Sequence, residues 1–159
     1  MKENIILDTN VISDIMNLST DPHVADWIAS IPPDRLFLTS ITIDELVYGL
    51  GLLPDGKRKR GFEGTINAVI RNYADRTFSF HPTDALICGA VRARRRRLGQ
   101  PIGLADAQIA AIAKHNNCTV ATRNIADFQH IGVRLINPWN YTSPTDHTDD
   151  RPASSQKES

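Results

Sequence analysis

The spacing of hydrophobic and polar positions changes period several times along the chain. Residues 4–8 run apolar into Asp8, the pattern of a short buried strand ending at a polar turn. Val11, Ile12, Ile15, Met16 and Leu18 follow at helical spacing, and a second short helix is predicted over 22–30 with Val24, Trp27 and Ile28 on one side. Pro32, Pro33 and Asp34 break the chain, and RLFLTS at 35–40 reads as the next strand. A helix is predicted to start near Thr42, where Thr42 and Glu45 have capping-box spacing. LLPDGKRKRG at 52–61 reads as a loop, and Phe62, Ile66, Val69, Ile70 and Tyr73 mark an amphipathic helix. TFSFH at 77–81 alternates like a strand until Pro82. Leu86, Ile87, Ala90, Val91 and Leu98 mark a further helix, which carries an arginine run toward its C-terminal end, where cations suit the helix dipole. GQPIG at 99–103 precedes a nearly all-apolar helix at 105–114, then strands CTVAT at 118–122 and VRLI at 133–136.

From Thr142 onward almost nothing is apolar, so residues 1–141 are expected to form one folded domain and 142–159 a disordered tail. No internal repeat is present. Strands alternating with helices at this spacing predict an α/β fold with a mainly parallel central sheet. The 159 residues, 41% hydrophobic and 23% charged, suit a single globular domain.

The remaining composition narrows the chemistry. No apolar run approaches a membrane span and no signal peptide precedes Ile5, so a cytoplasmic protein without membrane contact is expected. Cys88 and Cys118 sit in apolar surroundings and read as reduced core thiols. The five histidines lack ligand spacing, which argues against zinc. The net charge is zero, but residues 146–159 hold four acidic and two basic side chains, leaving 16 basic and 14 acidic ones before them. Lys57–Arg60 (KRKR) and the run RARRRR from Arg92 to Arg97 are either solvated surface or phosphate-facing patches.

Four acidic residues fall just after a strand or at a helix start. They are Asp8, Glu45, Asp106 and Asp127. In a parallel α/β sheet such positions share one edge, where ligands sit. Each has a plain structural alternative: a helix cap for Asp8, the capping box for Glu45, a favoured helix N-terminus for Asp106, a turn for Asp127. Together they carry an energetic problem. Two unit charges 4 Å apart repel by about 1 kcal/mol in water and about 4 kcal/mol at an intermediate dielectric. A divalent cation relieves this, and oxygen ligands select Mg²⁺ or Mn²⁺. Such ions activate water and steady the leaving oxygen in phosphodiester hydrolysis, with the basic clusters on flanking phosphates.

ILDTNVIS, ITIDELVYGL, GLADAQIAAIA and VATRNIADFQHIGVRLINPW, in this order, resemble the PIN-domain ribonucleases, and most closely the VapC- and FitB-type toxins of bacterial toxin–antitoxin pairs. The resemblance covers about residues 4–140. It implies a PIN-like α/β/α sandwich and a magnesium-dependent endoribonuclease leaving a 5′-phosphate and a 3′-hydroxyl. The family's acidic positions fall on Asp8, Glu45, Asp106 and, less strictly, Asp127, as catalytic and metal-binding groups. Thr122 takes its small hydroxyl position, with Asn10 and Arg123 in support. The resemblance also implies a DNA-binding antitoxin whose tail wraps the toxin, operator DNA contacted only through that antitoxin, and homodimers or heterotetramers. The helices at 42–53 and 62–74 are candidate surfaces for these contacts. The arginine run and the tail have no counterpart in the family pattern.

Two rival functions have different requirements. A module that only binds antitoxin and represses its own operon needs no set of four repelling acids. A magnesium phosphatase of one common pattern needs a second acid two residues after the first, and that position is Asn10.

Overall fold

The computed structural model describes residues 3–144, so the predicted tail lies, apart from its first three residues, outside the described residues. Five short strands form one all-parallel sheet: β1 (Ile5–Leu7), β2 (Leu36–Thr39), β3 (Thr77–Phe78), β4 (Thr119–Ala121) and β5 (Leu135–Ile136), in the order β3-β2-β1-β4-β5. The central strand β1 pairs Ile5 with both Leu36 and Thr119. Its alternation divides the core. Ile5 and Leu7 face one layer, with Val11, Val24, Trp27, Leu38 and Leu46. Ile6 faces the other, with Ile109, Ile112, Val120 and Phe128. Helices α1 (Thr9–Ile15), α2 (Pro22–Ser30), α3 (Ser40–Gly51) and α4 (Lys57–Asn72) supply the first layer. Helices α5 (Pro82–Arg97) and α6 (Leu104–His115) supply the second. The result is the α/β/α sandwich.

Three local features differ from the sequence expectation. First, α3 is capped by Thr39, whose hydroxyl accepts from the Thr42 amide at 3.1 Å; Thr42 and Glu45 form no capping box. Thr42 is itself buried against Thr39, and Glu45 turns away toward α1. Second, KRKR is not loop but the first turn of α4, where it opposes the helix dipole. Packing of Ile66, Val69, Ile70 and Tyr73 on the core outweighs this, and Lys59 pairs with Asp55 at 2.8 Å.

Third, α5 buries a different face from the one its leucines suggest. Leu86 is 78% exposed and Leu98 is exposed too, while Asp84, Cys88, Val91 and Arg95 point inward. Burying two charged groups is tolerable because both are hydrogen-bonded. Asp84 accepts from the His81 amide and the His115 ring, each at 2.7 Å. Arg95, only 4% exposed, donates to the carbonyls of Gln100 at 2.7 Å, Ala126 at 3.3 Å and Gln129 at 2.5 Å. Arg95 therefore cannot face phosphates; Arg92, Arg94, Arg96 and Arg97 are exposed. Cys88 and Cys118 are free and buried. Among the described residues, no helix is long and apolar enough to cross a membrane.

Candidate active site

Asp8 follows β1 at the C-terminal edge of the sheet and is 3% exposed. It caps α1, accepting from the Thr9 amide at 2.8 Å through Oδ1. Its other oxygen accepts from the Thr122 hydroxyl at 2.7 Å and the Asn10 amide group at 3.1 Å. Burial raises the Asp8 pKa; these three hydrogen bonds oppose the rise, and the nearby charge of Asp127 adds to it.

Thr122 follows β4, the neighbour of β1, so parallel pairing puts its side chain beside Asp8. Its oxygen also accepts from the Asn124 amide at 3.0 Å. Asn10 completes the frame: its Nδ2 reaches Asp8 and Thr122, and its Oδ1 accepts from the Arg123 amide at 3.2 Å. Thus the strand-end acid, the hydroxyl and the loop after β4 form one hydrogen-bonded unit.

Asp106 stands in the first turn of α6. Burial, then the charges of Asp8, Asp127 and Glu45, push its pKa up to about 6. No described residue donates a hydrogen bond to it. Glu45, on α3, accepts from the Thr9 hydroxyl. Asp127 is exposed on the 3-10 turn Ile125–Phe128; it does not line the cleft, yet its charge reaches both Asp8 and Asp106. The structure therefore brings together four acids from separate segments, three of them lining one cleft of about 580 Å³.

The cleft also contains groups that sequence reasoning passed over. Thr9, Ser13, Asp14 and Tyr48 line it. Asn10, Ser13, Asp14 and Asn17 recur at helical spacing, a polar stripe opposite Val11, Ile12 and Ile15 that could have marked the lining. Arg123 and Trp139 stand on the same wall, the guanidinium carbon 5.1 Å from the indole centroid.

The donor set suits a hard divalent cation. It is all oxygen, and Asp106 is a half-buried carboxylate without a described donor, its pKa raised by burial and then by three like charges. Among the described residues, no three acidic, imidazole or thiol side chains close into a ready cage. Mg²⁺ tolerates that, because it keeps several waters and takes only one or two carboxylates directly.

The chain matches known proteins over most of its length. The family model described as "PIN domain" matches residues 5–133. The plasmid stability protein StbB of Pseudomonas syringae pv. tomato is 39% identical, covering 85% of this chain and 98% of StbB. The VapC ribonuclease Y4jK of Sinorhizobium fredii is 36% identical, covering 85% and 97%. Toxin FitB of Neisseria gonorrhoeae is 34% identical, covering 86% and 99%. Among solved structures, FitAB bound to an IR36 DNA fragment matches with a TM-score of 0.81 and 33% identity, covering 88% of this chain and 99% of that one. A parallel sheet with acids gathered at its C-terminal edge, and a family match over most of the chain, make this protein a member of the PIN-domain family.

Proposed function

We propose that this protein is a magnesium-dependent endoribonuclease toxin of a toxin–antitoxin pair. The observation that carries it is the convergence of Asp8, Glu45, Asp106 and Asp127, distant in sequence, on a single electrostatic neighbourhood. Relatives named as a VapC ribonuclease and a FitB toxin support the substrate class and the biological role.

Asp8 and Asp106 would hold Mg²⁺ or Mn²⁺ directly, with Glu45 and Asp127 acting through water or positioning the nucleophile. When bound, the ion would lower the pKa of a water and offset charge on the phosphoryl oxygens. The chain supplies orientation. Thr122 and Asn10 fix one Asp8 oxygen, Thr9 links Asp8 to Glu45, and Asp106 is left without a competing donor. In-line attack on phosphorus would leave a 5′-phosphate and a 3′-hydroxyl.

An apolar groove of about 270 Å³ adjoins the cleft, lined by Met16, Leu46, Leu50, Leu53 and Phe62 among others. It is the place we assign to a DNA-binding antitoxin, a class of partner that the DNA-bound FitAB structure supports. Operator DNA would be met only through that partner. Exposed Val47 and Tyr48 on α3, with Leu52 just after it, extend this face toward a homodimer or heterotetramer contact. The cytoplasm is the compartment proposed. A binding role alone leaves four mutually repelling acids without a use.

The test is RNA cleavage by purified protein with Mg²⁺. Asp8→Asn, which keeps a helix-capping side chain, is expected to lose cleavage while melting as a folded protein. Full activity in that variant, or turnover that survives excess chelator, overturns the assignment.

A further inference from the structure

The cleft presents Asp8, Asp14, Glu45 and Asp106 to a substrate that is itself a polyanion, and the cation in its lining is Arg123. A guanidinium placed to neutralise those acids would pair with them. Arg123 does not: among the described residues, no carboxylate lies within ion-pairing distance and no group accepts a hydrogen bond from its side chain. It is stacked on Trp139 instead.

Both halves of that stack are anchored. The Arg123 amide is tied to Asn10 Oδ1, the same carboxamide that bonds Asp8. Trp139 packs against the core, and its amide is capped by Asn137 Oδ1 at 3.0 Å. The indole holds a planar fork of N–H donors at the cleft wall, and no described residue accepts from them. Bidentate donation to phosphate oxygens is what such a fork does best.

We propose that Arg123, held in place by Trp139, is a binding residue for an RNA backbone phosphate flanking the scissile bond. This rests on the ribonuclease reading above, and the test separates the two. The contact is made equally in ground state and transition state, so its loss raises KM more than it lowers kcat.

Single-stranded RNA binding is measured across a salt series on the Asp8→Asn protein, with and without Arg123→Gln. One lost phosphate contact is expected to flatten the log–log salt slope by about 0.7 and to weaken binding about tenfold at low salt. Arg123→Lys, which keeps the charge, is expected to keep the slope and to lose part of the affinity. In the otherwise wild-type enzyme, Arg123→Gln is expected to raise KM about tenfold with kcat within about twofold.

Weaker binding with an unchanged slope would mean that Arg123 stacks on a base, and overturns the phosphate contact. So would a lysine variant whose slope matches that of glutamine, or a glutamine variant with unchanged KM. If the wild type cleaves RNA in these assays, such results remove only the Arg123 inference. If folded wild-type protein with Mg²⁺ cleaves no RNA, the ribonuclease reading fails, and the inference fails with it.

Discussion

Thr122 donates its hydroxyl to Asp8 Oδ2 at 2.7 Å, joining the ends of two adjacent parallel strands across 114 positions of sequence. Both residues are buried. This bond is the largest influence lowering the Asp8 pKa against burial. Thr122→Val keeps the shape and removes the donor. It is expected to cost about 1–2 kcal/mol in urea denaturation, because a buried carboxylate oxygen loses its best partner. RNA cleavage should fall at least tenfold, and Thr122→Ser should restore most of both.

Asp106 gives a pH dependence opposite in direction to an ordinary salt-bridged acid. Its folded pKa, about 6, lies above the ordinary 3.8, so the folded state binds this proton more tightly. Its contribution to metal-free stability is complete below about pH 4 and is lost as pH rises through about 6. Asp106→Asn removes that loss. Without metal at pH 7.5, the variant should be more stable by about 1 kcal/mol once solvent screening of a half-exposed group is allowed for. The difference in melting temperature between wild type and variant should shrink as pH falls toward 4. Added Mg²⁺ should stabilise the wild type and not the variant.

Arg95 and its neighbours separate a buried cation from solvated ones. Arg95→Met leaves the carbonyls of Gln100, Ala126 and Gln129 without their donor and should cost about 2–3 kcal/mol. Arg94→Gln and Arg96→Gln should stay within about 0.5 kcal/mol. Urea midpoints of the three variants measure this directly.

Thr39→Ala should cost about 1–2 kcal/mol, since Thr39 is both the cap of α3 and the partner of Thr42. Glu45→Gln should leave stability nearly unchanged, because a carboxamide oxygen can still accept from Thr9. A helix capped by Thr42 instead would leave Thr39→Ala nearly neutral. Thermal melts of both variants decide between them.

What could be read from the sequence follows from where each signal is local. The β1 run and its closing Asp8 were legible because a buried parallel strand is a continuous apolar segment with its chemistry at the end. Asp106 was legible because the helix it opens has almost no polar residue to compete with it. On α5, Val91 was legible as a core residue but Asp84 and Arg95 were not, because apolar periodicity assigns leucine to the core and arginine to solvent. Leu86 and Arg95 invert that through carbonyl partners supplied by distant segments. The α3 cap was missed by one turn, since Thr39 and Thr42 both carry a hydroxyl and only backbone geometry distinguishes them. The polar stripe of α1 was visible as a period yet had no meaning until β4 brought Thr122 beside it.

The cap that Asp8 places on α1 has an evolutionary consequence. The carboxylate that would serve chemistry also starts a helix through one of its oxygens, so most replacements there damage the scaffold along with the activity. Asparagine is the exception, for it starts helices as well as aspartate does while carrying no charge. A lineage that silenced this protein but kept it as a folded partner would therefore be expected to drift to asparagine at position 8 before any apolar residue. An Asn in that place among related chains would mark a retired nuclease.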